Sequence, residues 1–323
     1  MEINASKARL WSKLGSRATY GQAILSLPDL NSNVLAMSAD LGNSSGLAPF
    51  IRKYPDKFIN IGIAEQNMIG VAAGLAKEGF IPFVTSFAPF LSMRASEQIR
   101  MELGYMQFNV KVVALGSGLS MAFLGNSHYG LEDIAIMRTI PGITIVSPAD
   151  CSEIVKTVNA AASYQGPMYI RLTGATNNPI VYDDDYEFEI GKSITLRQGS
   201  DLSIVCSGTM VAQSIAAAEI LSKSDIEAEI VNMHTIKPLD KEKISKIVAS
   251  GKPIVSVEEH TVIGGLGSAI AESLTELDGY IPHKIIGLED KFGKTAQYNH
   301  LLKIHGLDSE GIAETVKSFL SKI

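Results

Sequence analysis

The sequence predicts an α/β protein built of two doubly wound domains, and three observations carry that prediction. Apolar runs of strand length alternate with helix-length segments along nearly all of the 323 residues. The alternation breaks once, over residues 173–200, where Asn177, Asn178 and Pro179 and the acidic run Asp183, Asp184 and Asp185 intervene, and then it restarts. The length itself suits about two domains. These readings place a first domain at 1–180, a linker at 181–186 and a second domain at 187–323.

In the first half, residues 16–27 read as a capped helix closed by Pro28, and 33–37 as a strand leading into a polar loop, 38–46. Loops that follow strand C-termini are where open α/β sheets bind ligands, which makes Arg17, Asp40 and Ser44 candidates. Each is equally readable as a cap or a surface group. Residues 58–61 form a short strand that enters a Gly-Ile-Ala turn, then Glu65. The helix after it, with Met68, Ile69, Val71, Ala72, Ala73, Leu75 and Ala76, is apolar nearly all the way round and belongs inside a layered core. A lone carboxylate entering such a core is costly without a partner. Glu65 therefore reads either as a group that hydrogen-bonds a bound heterocycle or as a first-turn acid favoured by the helix dipole.

A strand at 81–85 leads into Ser86-Phe87-Ala88-Pro89-Phe90 and a helix to about residue 105. Phe87 and Phe90 are placed to wall a flat ring, or are ordinary core. The strand 110–115 opens a glycine-rich loop, GSGLSMAFLGNSHYG, that contains His128. A loop histidine among glycines is a better functional candidate than one on an apolar helix face. Its surroundings are not a nucleophile elbow, so serine hydrolysis gains little. Strand 143–146, helix 150–164 and strand 168–171 complete this half.

The second half reads as strand 202–206, helix 211–221, strand 229–231, a TIKPLD turn at 235–240, a helix to 249 and strand 254–257. The glycines 264, 265 and 267 are too short and incomplete a set for a dinucleotide turn, and close helix–strand packing explains them better. A strand at 284–286 and two helices close the chain, the last from about Ser309 with Asp308 as its cap.

Bulk composition bounds the function classes. The chain is 46% hydrophobic and 19% charged with a net charge of −6, so no overall basic field recruits nucleic acid or an anionic membrane. An anionic substrate must be held by a few placed groups. Cys151 and Cys206 stand alone, without a CxxC companion, which argues against a disulfide framework or a structural zinc site. No two of the six histidines are spaced as metal ligands on one helix face; His260 is read as organising a loop of the second domain. The N-terminal stretch lacks the apolar run of a signal peptide and no window reaches membrane-span length, so the expected location is cytoplasmic.

Five motifs in order, IGIAEQN, TSFAPF, GNSHYGLEDIAIMRTIPG, TIKPLD and VEEHTVIGGLG, resemble the C-terminal half of transketolase as found in split, two-subunit transketolases. The resemblance runs from about Arg17 to the end. It implies a pyrimidine-binding domain followed by a transketolase C-terminal domain, with thiamine diphosphate and Mg2+ as cofactors. It implies that Glu65 hydrogen-bonds the pyrimidine ring and promotes its imino tautomer, so that the cofactor takes a two-carbon unit from a ketose to an aldose. Phe90 matches the aromatic stacked on the pyrimidine, Phe87 lines the same pocket, Asp40 lies near the thiazolium, and Met93 stands where a tyrosine often lines the pocket. Arg17, Ser44 and Arg171 match groups that hold the substrate phosphate, and His128 matches the histidine near the reacting carbonyl.

Departures from the family pattern are equally specific. No Gly-Asp-Gly, the family's Mg2+ and diphosphate motif, occurs in the chain. The resemblance therefore implies a separate N-terminal subunit that carries it, in an α2β2 heterotetramer with active sites at the interface. Gly116 stands where the family has a histidine, and Leu124 where it has an aspartate that contacts a substrate hydroxyl. A leucine there leaves that hydroxyl unpaired, which implies altered sugar preference rather than lost chemistry. The held anion is a sugar phosphate or a sulfonate. Competing readings are the β subunit of a 2-oxo acid dehydrogenase, a deoxyxylulose-phosphate synthase-like enzyme, a non-catalytic binding or regulatory module, and, on the Gly264 turn alone, a Rossmann dehydrogenase.

Overall fold

The computed structural model describes residues 2–174 and 176–323; Met1 and Ala175, which fall within the range expected for the first domain, lie outside the described residues. Two sheets organise them. The first contains β1 (Val34–Ser38), β2 (Phe58–Asn60), β3 (Ile81–Phe87), β4 (Lys111–Leu115), β5 (Thr144–Val146) and β6 (Met168–Arg171). The second contains β7 (Ile194–Arg197), β8 (Leu202–Cys206), β9 (Ala228–Asn232), β11 (Ile254–Thr261) and β12 (His283–Leu288), while β10 (Thr235–Lys237) joins the first.

The first sheet runs β10-β5-β6-β4-β3-β1-β2, and β1 to β6 are mutually parallel. Parallel neighbours need crossovers, and helices such as Glu65–Lys77 and Cys151–Ser163 supply them. Strands covered on both faces should be apolar throughout, and β1, β3, β4, β5 and β6 are buried along their whole length. Val34, Ala36, Phe83, Val113 and Ile170 pack on one face against Tyr20, Ile24 and Val155. On the other face, Met37, Val84, Val112 and Ala114 meet Met68, Ile69 and Ala72. Each of the Val, Ile, Met and Phe side chains among them contributes about 1.5–3 kcal/mol when fully buried.

The expected two-domain α/β class is what the structure shows. Three local expectations differ. The TIKPLD stretch, expected as a turn, begins with β10, which pairs antiparallel with β5 at the edge of the first sheet. Pro238 cannot donate to a ladder and follows that short strand. The polar stretch after residue 173 hides β7, an antiparallel edge strand on β9 whose half-buried residues give little periodic signal. The Glu65–Lys77 helix is not covered all round: Met68, Ile69, Ala72 and Ala73 are buried, while Gln66, Asn67, Gly70 and Gly74 face outward.

Both cysteines are free and buried. Asp150 and Asp308 cap their helices through side-chain oxygens that accept from Glu153 N and Gly311 N. No helix among the described residues is long and apolar enough to cross a membrane.

A candidate active site at the carboxyl ends of four neighbouring strands

Strands β4, β3, β1 and β2 are adjacent in the sheet, and the loops leaving their carboxyl ends carry the candidates. The loop after β1 holds Asp40 and Ser44, the turn after β2 leads to Glu65, β3 ends at Phe87 just before Phe90, and the loop after β4 carries His128.

Glu65 opens its helix and is 2% exposed. The partner its burial requires comes from two places. Ser86 Oγ donates to Oε1 at 3.3 Å, and Arg94 Nη1 donates to Oε2 at 2.9 Å. Arg94 was not singled out from the sequence, and the reason is local geometry. The chain winds wider than an α-helix over Phe90–Arg94, with Ala95 N donating to Phe90 O five residues back. Turns of this π type concentrate at functional sites. The arginine is 49% exposed, and its guanidinium also lies over the Phe90 ring, 4.5 Å from the centroid.

Three rings stand together beside this pair. Phe87 and Phe90 meet edge to face at 6.0 Å, and the His128 ring lies 5.9 Å from the first and 5.5 Å from the second. Ser127 Oγ and His128 Nδ1 are 3.0 Å apart, a contact that orients the ring. Phe87 is buried and Phe90 half-buried, so the wall is anchored at one end and open at the other.

Gly116 has φ +64, and a Cβ there would stand 2.5 Å from Met121 Sδ and 3.4 Å from Phe87. The space beside Gly116 is filled by a thioether, so position 116 admits only glycine while Met121 stays. Met121 was also missed, because nothing in sequence distinguishes it from core. Leu124 and Met93 are exposed, at 53% and 46%. Ile63 and Phe123, on the loops that carry Glu65 and His128, are exposed apolar residues as well.

Asp40 adopts φ +56 and is fixed by a reciprocal pair: its N–H donates to Asn60 Oδ1 at 3.0 Å, and Asn60 Nδ2 donates to its Oδ1 at 3.1 Å. Arg17 Nη1 donates to Ser44 O at 3.4 Å, and both residues are exposed. The backbones that carry them touch: a Cβ on Gly21 would fall 2.0 Å from Gly46 O, so only glycine at 21 lets the helix meet the loop.

Arg171 requires a correction. It was expected to hold a substrate anion, but it is 2% exposed and its guanidinium is already engaged. Nε donates to both oxygens of Asp133 at 3.0 and 2.9 Å, and Nη2 donates to Gly130 O and Glu259 O, both at 2.9 Å. Nε and Nη2 are thus spent on the protein itself, and at 2% exposure little of the guanidinium beyond Nη1 is left to meet a ligand.

Residues 12–176 match the transketolase pyrimidine-binding domain and residues 191–312 the transketolase C-terminal domain. The chain belongs to the transketolase family. It is 38% identical over 296 residues to the 6-deoxy-6-sulfo-D-fructose transketolase subunit SqwH of Clostridium sp. (strain MSTE9), covering 92% of this chain and 91% of that one. To an apulose-4-phosphate transketolase subunit of Phocaeicola vulgatus it is 35% identical over 309 residues, covering 96% and 98%. Among solved structures it resembles a split gene transketolase, an inactive β4 tetramer, with TM-score 0.86, 38% identity and coverage of 95% and 98%. These relatives are transketolase subunits rather than whole transketolases, and the chain spans nearly their full length. It is thus the C-terminal, enzyme-forming subunit of a split transketolase. Such a subunit implies an N-terminal partner, and the family implies dependence on thiamine diphosphate.

The residues present fit one end of that cofactor. A buried carboxylate beside an aromatic wall suits the rim and face of an aminopyrimidine. For a metal-bound diphosphate the residues do not fit: no Gly-Asp-Gly occurs, and no group of three His, Cys, Asp or Glu able to hold a metal is present among the described residues.

Proposed function

We propose that this chain forms the pyrimidine-binding half of a two-chain transketolase active site, transferring a two-carbon ketol unit from an anionic ketose to an aldose. One observation carries the reading: Glu65, buried at the carboxyl end of the sheet, is linked through Arg94 to the Phe90 ring in a chain without a Gly-Asp-Gly motif. Thiamine diphosphate, when bound, supplies the carbon nucleophile that cleaves the ketose and holds its two-carbon fragment. Glu65 holds a proton at the pyrimidine ring nitrogen, where general acid–base assistance is worth about 10²–10⁴-fold. Phe90 and Phe87 receive the ring face, Met93 lines its margin, and Asp40 lies toward the thiazolium.

His128, its Nδ1 occupied by Ser127, presents its other nitrogen to the substrate carbonyl and hydroxyls. Arg17 and Ser44 hold the substrate's anionic end, while Arg171 is buried against Asp133. Leu124 offers no acceptor to a substrate hydroxyl, and Met121 fills the place beside Gly116. Both features favour sugars that lack a hydroxyl, or carry it differently, at those points. The relatives' names span a phosphate and a sulfonate, and one pair of donors such as Arg17 and Ser44 suits either anion.

In this reading the N-terminal partner supplies the Gly-Asp-Gly segment, the Mg2+ and the diphosphate site, within an α2β2 heterotetramer in the cytoplasm. The exposed Ile63, Met93, Phe123 and Leu124 form the apolar rim that it covers. The pyrimidine-binding domain takes residues 1–180, the linker 181–186 and the C-terminal domain 187–323.

Titration of thiamine diphosphate with Mg2+ into this chain, the partner and their mixture tests the proposal. Tight binding by the mixture alone, with ketol transfer to an aldose and no release of carbon dioxide, is the expected result. Tight binding by this chain alone would refute the division of the cofactor between two chains. Binding without ketol transfer from any ketose phosphate or sulfonate would refute the reaction.

A further inference from the structure

The loop 116–131, which carries His128, is closed at its neck by Gly118 N to Gly130 O at 2.8 Å and Gly130 N to Gly118 O at 3.2 Å. Beyond that neck it is fastened to the second domain. The carboxylate of Glu259, 140 residues away, accepts from Leu119 N at 2.6 Å. The same carboxylate accepts from Thr209 Oγ1 at 2.6 Å and Tyr298 OH at 2.7 Å, so three donors converge on its two oxygens. The backbone carbonyl of Glu259 receives Arg171 Nη2, which also holds Gly130 O. Thr261 N donates to Leu131 O at 2.9 Å.

Glu259 and Thr261, at the end of β11, thus grip both ends of the loop. A second grip lies farther out, where Asn126 Nδ2 donates to Gly293 O at 2.8 Å and Tyr129 OH reaches Lys294 O at 3.2 Å. The fit at the neck is close: a Cβ on Gly118 would fall 2.3 Å from Glu259 Oε1.

We infer that Glu259 is a positioning residue for the proposed reaction: through Leu119 and the neck of the loop, the second domain sets where His128 stands. The inference rests on the transketolase reading only for its activity readout. Glu259 lies on β11, apart from the segments that carry Glu65 and Phe90, so it acts first on the substrate side of the site and reaches the pyrimidine side only where the His128 ring meets Phe87 and Phe90.

The test compares Glu259→Ala, Glu259→Gln and Gly118→Ala. In the full chain, hydrogen exchange is followed in peptides spanning 116–131, the Glu65–Lys77 helix and β8. In the assembled two-subunit enzyme, kcat/KM for the ketose and half-saturation by thiamine diphosphate are measured. Loss of a buried hydrogen bond to a charged group predicts roughly tenfold faster exchange in the loop. For Glu259→Ala, exchange elsewhere and cofactor half-saturation should stay within about twofold, while kcat/KM falls roughly tenfold. Glu259→Gln should recover most of both effects, because a glutamine oxygen still accepts from Leu119 while its amide can turn to the two hydroxyls.

Equal acceleration in all three regions, an unchanged loop, or a glutamine variant no better than alanine would overturn the inference. If Glu259→Ala does not fold, Gly118→Ala decides on the same readouts, read against Gly116→Ala as the control for backbone strain: both glycines have positive φ, at +68 and +64, but only the methyl group at 118 meets the Glu259 carboxylate. A wild-type pair inactive in ketol transfer would sink the proposed function, and loop exchange alone would then decide whether Glu259 fastens the loop.

Discussion

Two arginine–carboxylate pairs lie at or just past the carboxyl ends of strands of the first sheet, and their surroundings differ. Arg171 ends β6 and meets Asp133 where both side chains are buried, with Tyr169 OH adding a third contact to the carboxylate at 3.0 Å. Arg94 meets Glu65 with the acid buried and the arginine half in water. The first pair is enclosed by protein; the second is covered on one side and open on the other, beside an aromatic wall. Burial of charge therefore does not by itself mark a ligand site. The mark is a buried charge whose partner can leave.

Breaking the enclosed pair should have the largest effect. Arg171→Met strands the Asp133 carboxylate and loses the tether on Gly130 and Glu259, and a broken buried pair costs about 3–5 kcal/mol. Urea unfolding should show that loss, and a change below about 1 kcal/mol would mean that the pair is not enclosed in solution. At the open pair the effect moves from stability to activity. Glu65→Gln should leave unfolding nearly unchanged, because Arg94 can return to water, while ketol transfer by the assembled enzyme falls by about 10²–10⁴-fold. Retained activity would remove Glu65 from the proposed chemistry.

A third buried acid sharpens the contrast, because it forms no ion pair among the described residues. Glu153 accepts from Ala149 N, Asn232 Nδ2 and Tyr186 OH, between the first domain and the second, and burial pushes its carboxyl up to about 8. The native state therefore keeps a proton that the unfolded chain releases near pH 4.5. Its contribution is fully present below that pH and is lost as pH rises toward 8. Glu153→Gln, which cannot ionise, should become progressively more stable relative to the parent between pH 5 and 8. The limiting slope is about 1.4 kcal/mol per pH unit. A stability difference that does not change over this range would mean that Glu153 is ionised in the fold.

The sequence made the open site largely legible and the enclosed one not. Glu65 stood out because a single acid enters a run of apolar residues, and the aromatics and His128 stood out because loops after strands place them. Arg94 escaped because it lies 29 residues from Glu65 and reaches it only through a widened helical turn that no periodicity announces. Arg171 misled for the opposite reason. An arginine at a strand end looks available for an anion, and nothing nearby in the chain shows that Asp133, 38 residues earlier, folds onto it. Glu259 lay unassigned within VEEHTVIGG, since its donors come from Leu119, Thr209 and Tyr298, far apart in sequence. Strands β7 and β10 were lost in polar stretches because edge strands need only half an apolar pattern.

The smallest expected effect bears most directly on what the open pair does. Arg94 touches the two surfaces that the proposal assigns to the pyrimidine ring, the Glu65 carboxylate and the exposed Phe90 face. In this chain alone the guanidinium thus stands where the ring would lie, and binding must displace it or turn it aside. A half-exposed ion pair is worth about 0.2–1 kcal/mol, so its removal changes an equilibrium by no more than about fivefold. Arg94→Met should therefore lower stability slightly and tighten thiamine diphosphate binding by the assembled subunits up to about fivefold, because the ring no longer competes with a cation. Isothermal titration of the assembled pair measures this directly. Weaker binding would mean that the arginine stays on Glu65 in the complex and supports the ring from its edge, and the open pair would then be a permanent part of the pyrimidine site.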